Sequence, residues 1–530
     1  MTTSTNQQKL SQKPYLKYFT FSIITIFILS LGANLFIKNK VKNRLAIIEG
    51  LSHQKIDANI LFRKITINEI QYKWSSERQD SSNIYCQEID IVGISWWNLL
   101  VDNNLTINNL TIENLNGIIK SPFTFSQKKE TPSEQSQPLK DIFIKNLFLK
   151  ETTIDFTHLD DWNAKLEDLN LHIQQLHYPT AQPKKSLDYT DFNLSFANAS
   201  WMLKDGLYSL HCAKFDSKMS SQNLLATNLE LRPQYSKATW KNYIPHKKAR
   251  LHLKIPKVEM MKINYQKLLG GEGLWAEDLT LHQANLDVFS SKELPPCVGC
   301  YKSFIHEKLL KAKLPINLKK IQLKENKIHI NTINEQVENM INISFDNIFA
   351  SIYNVTNIKE NIKANSKIIA DIKSLVAGEA KLETQINFYL DSPLFAYQIN
   401  AKVNQFDLTK INKIFDFGAK VKIESGQLNQ LNFQISGDNQ LASGEMKFAY
   451  ENLKIEVINT KKGKVKKLLS RIANLGIKND NNKPEGNFEK GKIYYPRVKN
   501  KGIFHQWYGA IQSGFKSTIL PDIILKKELE

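Results

Sequence analysis

Residues 321–330 read IQLKENKIHI, and this stretch decides how we expect the chain to fold. It contains two apolar pairs, Ile321 with Leu323 and Ile328 with Ile330, separated by four mostly polar residues. Alternation of apolar and polar residues within each pair is typical of a strand that buries one face. We interpret the stretch as a strand, a tight turn and a second strand.

The same spacing occurs elsewhere in the chain. It recurs at Leu147, Leu149, Ile154 and Phe156, at Leu279, Leu281, Leu286 and Val288, and in broken form at Val421, Ile423 and Leu428, where Gln430 interrupts it. Two interpretations remain open. The copies are either units of a repeated sheet whose faces are buried only against neighbours, or hairpins that are similar by chance.

Strand patterns dominate the sequence and helix patterns are few. Residues 62–74 and 105–119 alternate in the same manner, whereas helical spacing is confined to short stretches at 41–51, 301–314, 461–475 and 502–520. These helices are too few to cover a long sheet. The sheet therefore either folds against itself or leaves its apolar face as an open groove, and such a groove implies an apolar ligand.

An uncharged run of 20 residues, YFTFSIITIFILSLGANLFI, occupies positions 18–37. At about 1.5 Å per residue a helix of this length spans about 30 Å, the thickness of the hydrocarbon core of a bilayer. Lysines flank both ends, so charge alone does not set the orientation. We expect one transmembrane helix; a cleaved signal peptide and a buried soluble helix are the alternatives.

The chain has 530 residues, a net charge of +19, 42% hydrophobic and 23% charged residues. This composition is that of a folded protein, and the positive charge favours anionic partners such as lipid headgroups. The excess consists mostly of lysines spread along the chain, so we do not expect nucleic-acid binding. The basic stretch 461–475 is either a membrane-surface helix or a solvated helix packed on the sheet.

Cys297 and Cys300 form a CVGC pair. In an oxidising compartment they could form a disulfide; free thiols and redox catalysis are the alternatives, although no thioredoxin-like pattern surrounds them. Cys86 and Cys212 are isolated in sequence, which argues against zinc. No motif of nucleotide-binding loops, hydrolases or metalloproteases is present. We therefore expect a protein that is not an enzyme, without catalytic, cofactor-binding or metal-binding residues.

The order of several stretches resembles the AsmA-like family of bacterial envelope proteins (AsmA/TamB-related), in its Bacteroidetes-type branch. The stretches are ITINEIQY at 65–72, EIDIVGISWWNLLVDNNLTINNLTIENLNGIIKS at 88–121, LDVFSSKELPP at 286–296, LLKAKLPINLKKIQLKENKIHI at 309–330 and LVAGEAKLETQINFYLDSP at 375–393. Lysines replace arginines that are frequent in the family, and the PPCVGC stretch is unusual. The resemblance implies a β-rich groove, anchored in the inner membrane, that conducts phospholipids through the periplasm without catalytic residues.

Together these patterns predict a mainly β protein with one N-terminal transmembrane helix, an elongated antiparallel-type β-sheet groove and a few short amphipathic helices. The predicted segments are a cytoplasmic N-terminus (1–17), the transmembrane helix (18–37), a first groove segment (38–290), a loop-and-helix join (291–314), a second groove segment (315–500) and a terminal amphipathic helix with tail (501–530).

The predicted function is binding or conducting lipids for outer-membrane lipid homeostasis, in a single-pass protein of the bacterial inner membrane with its bulk in the periplasm. The expected partners are phospholipids or other envelope lipids, the inner membrane, and outer-membrane assembly proteins. The first alternative is a non-catalytic scaffold or assembly factor for outer-membrane proteins, and the second is an envelope enzyme, which a buried polar cluster in a pocket would favour. The candidate lipid-lining residues are Leu147, Leu149, Ile154, Phe156, Leu279, Leu281, Ile321, Leu323 and Ile328.

Overall fold

The computed structural model describes residues 14–75, 81–121, 140–158, 162–180, 188–334, 339–413, 421–459, 464–465, 479–482 and 489–519. The chain divides into two compact units, Met1–Ala199 and Ser200–Glu530. The division falls inside the segment 38–290 that the sequence suggests as one piece. Strands dominate both units, so the prediction of a mainly β fold is confirmed.

The first unit begins with one long helix, α1, and continues as a sheet. The elements are α1 (Pro14–Ala46), β1 (Leu51–Ser52), β2 (Lys55–Asn59), β3 (Lys64–Ser75), β4 (Ser81–Val92), a π-helical turn (Asn98–Asp102), β5 (Leu105–Ser121), β6 (Asp141–His158) and β7 (Trp162–Pro179); β8 (Asp191–Met202) crosses the boundary between the units. Strands β1 and β2 both pair with β3, and β4, β5, β6 and β7 follow in order.

Helix α1 is continuous to Ala46, so the separate short helix predicted from residue 41 is wrong. Within the described part of the chain, no helix has both the length and the apolarity that a membrane crossing requires. The predicted span at 18–37 is therefore not confirmed.

The second unit contains most of the strands. They are β9 (Tyr208–Lys218), β10 (Asn223–Pro233), β11 (Arg250–Met261), β12 (Leu274–His282), β13 (Asn285–Ser291), β14 (Ile316–Asn334), β15 (Asn339–Thr356), β16 (Lys367–Val376), β17 (Ala380–Tyr389), β18 (Tyr397–Val403), β19 (Phe406–Asp407), β20 (Val421–Gly437), β21 (Leu441–Asn459), β22 (Lys464–Val465) and β23 (Lys490–Pro496). The helices are α2 (Tyr265–Leu269), α3 (Ile305–Leu310), α4 (Lys359–Ala364) and α5 (Ile503–Ile519), with 3-10 turns at Trp240–Tyr243 and Leu408–Lys413. Pairing follows chain order, except that β12 and β13 lie end to end between β11 and β14, β18 and β19 both pair with β20, and β22 and β23 both pair with β21.

The sheets are mixed, which corrects the expectation of an antiparallel sheet. Strand β5 runs parallel to β6, and β14 runs parallel to both β12 and β13. Parallel neighbours require a crossover of about a dozen residues or more. The join predicted at 291–314 is the crossover that carries the chain from β13 to β14.

The repeated pattern is not a hairpin, so that prediction is wrong. In the copy at 321–330, both apolar pairs lie on the single strand β14, and the pairing with β15 shifts between Leu323 and Ile328. Glu325 supplies the extra residue, with a left-handed backbone (φ 58°). Leu323 and Ile328 are five positions apart, which would place them on opposite faces of a regular strand; a β-bulge returns them to the same face.

The bulges of neighbouring strands lie beside one another. In the first unit the left-handed residues are Glu69, Asn114, Glu151 and Asp168, on β3, β5, β6 and β7, and in the second unit they are Asn228, Gln283, Glu325 and Asn347, on β10, between β12 and β13, and on β14 and β15. The register places each set across its sheet in a row. Bulges bend a strand and increase its twist, so each row forms a crease that crosses its sheet.

The C-terminal part of the second unit has a closed core, because α5 covers it. Ile503, Ala510 and Phe515 of α5 are buried against residues of β21 and β23, as the predicted terminal amphipathic helix requires. Helix α3 covers only Ile305–Leu310 of the predicted 301–314: it begins after Phe304, whose backbone is extended (ψ 165°) and whose N–H donates to the Glu307 carboxylate, and Pro315 disfavours helical backbone at Leu314. Of the predicted basic helix at 461–475, Lys464–Val465 form strand β22, and the other positions lie outside the described residues.

Candidate functional site

The nine candidate lipid-lining residues lie on three strands. Four lie on β6 of the first unit, and five lie on β12 and β14 of the second. In the second unit the register joins them directly, because Leu279 is opposite Ile321 and Leu281 is opposite Leu323. All nine are half-buried, neither sealed in a core nor fully in water.

In the first unit, the candidates belong to apolar rows that cross the sheet from β3 to β7. One row is Ile65, Ile91, Leu110, Leu147 and Ile173, and the next is Ile67, Ile89, Ile112, Leu149 and Leu171. Beyond the crease the same face continues with Ile84, Gly117, Ile154 and Leu166. No charged residue interrupts these rows, so they form one apolar face.

The opposite face of the same sheet is polar. Asn68 donates a hydrogen bond to Glu88 at 3.0 Å, and Lys150 pairs with Glu113 at 2.6 Å. Thr66 donates to Asp90 at 2.6 Å on the same face. These cross-strand pairs satisfy polar groups beside water, so the sheet is amphipathic, although Phe148 lies on this face too, stacked on His172.

Helix α1 covers one end of the apolar face. Ile37, Val41 and Leu45 pack against a buried cluster that includes Ile65 and Ile67. The Asn34 side chain fixes this end of the helix by accepting a hydrogen bond from the backbone N–H of Ile60 at 2.6 Å. The exposure of the rows therefore changes along the sheet, from buried beside α1 to half-buried at β6 and β7.

In the second unit, the candidate strip leads into the closed core. The row that starts at Leu279 and Ile321 continues through Ile352 to Ala370 and Ile386, which are buried at 4% and 6% exposure. The half-buried part of the strip therefore ends where the sheet enters the closed core.

A cleft of about 810 Å³ crosses β14 to β20, but it is not part of this strip. On each strand its lining includes the residues just before and just after the apolar row, such as Gln322 and Lys324 on β14 and Asp371 and Lys373 on β16. Successive side chains on a strand point to opposite faces. The cleft therefore lies on the polar face, and the candidate Leu323 only contributes to its floor.

The structure joins Cys297 and Cys300 in a disulfide. The loop is held against the C-terminal segment, since the Asn500 side-chain amide donates to the Cys297 carbonyl at 2.9 Å. Val298 at the tip of the loop is 92% exposed. His306 is packed in the interior, where burial lowers its pKa and favours the neutral ring, and its Nε2 lies 2.9 Å from the Phe395 carbonyl.

A second cavity, of about 350 Å³, was not predicted from the sequence. It lies beside the 3-10 turn Trp240–Tyr243 and is lined by four lysines, Ser291, Glu293 and several apolar side chains. Its lysines fall within the run KATWKNYIPHKK at 237–248, and the interleaved aromatic residues are the sequence signal that could have identified it.

The chain matches no known family model, no characterised protein and no solved structure.

Proposed function

We propose that this protein is a lipid carrier or conduit of the AsmA-like type, which holds acyl chains on the apolar faces of its sheets. The observation that supports it is the contrast between the two faces of the first-unit sheet. One carries uninterrupted rows of Ile and Leu that remain half-buried at Leu147 and Leu149, and the other carries cross-strand polar pairs. Apolar surface that remains accessible is typical of a binding surface.

The expected strength of such binding suits transport. Shielding a methylene group from water contributes about 0.8 kcal/mol, and a chain that lies on one face is shielded on roughly half its surface. About 12 methylenes then contribute on the order of 5 kcal/mol, before the entropy of ordering the chain is subtracted. Affinity of this size is millimolar or weaker for each chain, so lipid would exchange readily.

The proposal includes a location: residues 18–37 anchor the chain in the inner membrane and the body lies in the periplasm. The uncharged run at these positions supports an anchor, and a disulfide at Cys297–Cys300 suits an oxidising compartment. Reporter fusions at the C-terminus, one active only in the cytoplasm and one only in the periplasm, test this part. An active cytoplasmic reporter would overturn it.

The binding proposal is tested by placing a charge in the strip. In the full-length protein, Leu281→Glu and Leu323→Glu should each reduce the lipid that copurifies, measured by mass spectrometry of solvent extracts. Gln322→Glu is the matched control, because it adds the same charge beside Leu323 on β14 but on the opposite face. Equal lipid in all variants, or wild-type protein without lipid, would contradict the proposal; the second result would leave the scaffold alternative.

A further inference from the structure

The lysine-lined cavity of the second unit is large enough for a ligand and has an apolar wall. Its volume of about 350 Å³ falls within the range of ligand sites, about 300–1,000 Å³, and far exceeds the roughly 30 Å³ share of one water. Trp240, Ile244 and Phe289 form the wall and are 2%, 8% and 6% exposed. A wholly polar ligand would leave this wall unmatched.

Three of the four lysines that line the cavity already have counter-ions. They are Lys237 with Asp287 at 2.8 Å, Lys241 with Glu293 at 2.6 Å, and Lys248 with Asp205 at 3.1 Å. Lys247 differs: across the described ranges its ammonium group has neither an ion pair nor a hydrogen bond. It is also half-buried, so it lacks the full hydration that an exposed lysine receives.

Two more lysines approach Lys247 from distant parts of the chain. The Lys247 N–H donates to the Pro295 carbonyl at 3.0 Å, and the Lys302 N–H donates to the Lys499 carbonyl at 2.9 Å, so the segments 247, 295–302 and 499–501 lie together. Burial lowers the pKa of Lys247, and the positive charges of Lys501, Lys292 and Lys302 lower it further. The ammonium groups of Lys302 and Lys501 likewise have no acidic partner among the residues that the structure describes.

We propose that this cavity binds the phosphate of an anionic amphiphile. The phosphate would bind the lysine cluster of Lys247, Lys302 and Lys501, of which only Lys247 lines the cavity, and the first carbons of the tail would lie against Trp240 and Phe289. A half-buried cation without a counter-ion, such as Lys247, lacks part of its hydration, and a phosphate offsets that cost while accepting hydrogen bonds from several ammonium groups. The assignment of the tail rests on the proposed lipid-carrying function, whereas the assignment of the anion does not.

The test uses the full-length protein and three probes: dihexanoyl phosphatidylglycerol, dihexanoyl phosphatidylcholine and inorganic phosphate, each measured by isothermal titration calorimetry. We expect wild-type protein to bind the phosphatidylglycerol more tightly than the zwitterionic lipid. The double variant Lys247→Met, Lys302→Met should lose about tenfold for phosphatidylglycerol and little for phosphatidylcholine. Lys447→Met, an exposed lysine on β21, is the matched control and should bind as wild type does.

The outcomes separate the two proposals. Unchanged phosphatidylglycerol binding in the double variant, with an unchanged thermal transition, overturns the cavity and leaves the sheet faces as lipid carriers. Binding of inorganic phosphate as tight as that of phosphatidylglycerol overturns the amphiphile and leaves a site for free anions. Loss of phosphatidylcholine alone in Leu281→Glu supports both, since the anion site and the apolar strip then act independently. Methionine retains the apolar stem of lysine, so the variants are expected to fold.

Discussion

The bulge at Glu325 can be tested by substitutions that differ in how well they tolerate a left-handed backbone. Glu325 has φ 58° and an exposed side chain, and it accepts a hydrogen bond from the Gln283 amide at 3.0 Å. Left-handed backbone costs a non-glycine residue roughly 1–2 kcal/mol, with β-branched residues at the upper end. Glu325→Val should therefore add about 1 kcal/mol of strain and lose about 0.5–1 kcal/mol from the hydrogen bond.

Glu325→Gly loses the same hydrogen bond, but it relieves the strain that Glu325 now carries. The relief of about 1 kcal/mol is offset by the greater freedom of glycine in the unfolded chain, so the net change should be the loss of about 0.5–1 kcal/mol from the hydrogen bond. The two variants should differ by roughly 1 kcal/mol, the strain that valine adds, which is about a 5-fold difference in the opening equilibrium of β14 and β15.

Hydrogen exchange of β14 and β15 amides is the suitable assay, because a chain of two units need not unfold in one step. Lys324→Val is the control: it is also exposed, has ordinary strand backbone, and should be neutral or slightly stabilising. If Glu325→Val and Lys324→Val exchange alike, the left-handed bulge is absent, and the argument that Ile321, Leu323 and Ile328 share a face fails.

Three further predictions concern the second unit. Gly514→Ala should lower the stability of the α5 region by about 1–3 kcal/mol, because an added Cβ would lie 2.8 Å from a methionine methyl on the sheet, whereas Gly502→Ala, in open space, should not; thermal unfolding distinguishes them. Hydrogen bonding from Arg232 lowers the pKa of Glu230 to about 2. The stabilisation of the folded state by ionised Glu230 is therefore complete above the unfolded-state pKa of about 4.3 and is lost as the pH falls towards 2. The stability difference between wild type and Glu230→Gln should vanish over that window. Thiol titration of the denatured, unreduced chain should find two reactive groups and four after reduction, and four before reduction would contradict the disulfide at Cys297–Cys300.

The strand content and the terminal helix could be predicted because each depends on local periodicity. The bulges could not, because the five-residue interval between Leu149 and Ile154 is compatible with either a turn or an extra residue within one strand. The composition of the interval argues against a turn, because residues 150–153 read KETT and lack the Asn-Gly or Gly-Gly pair that two-residue hairpin turns favour. The parallel pairing of β5 with β6 had no signal in the alternation, which is the same for either direction.

The lysine cluster could not be predicted from sequence for a different reason. Lys247, Lys302 and Lys501 are separated by up to 254 positions and are surrounded by other lysines in a chain with 71 basic residues. Only the crossover from β13 to β14, held against the segment after β23, brings them together. A site made by long-range contacts is invisible to any pattern that is read within a short window.

The contact between the disulfide loop and the segment after β23 also sets an order of events during synthesis. Asn500 and Cys297 are 203 positions apart, and Arg497, which donates to the Lys302 carbonyl at 2.8 Å, is 195 positions from its partner. At about 5–20 residues per second, the ribosome needs about 10–40 s to supply the second half of this contact. Until then the crossover and the start of β14 lack these contacts. A factor that shields nascent chains would therefore act on this segment first.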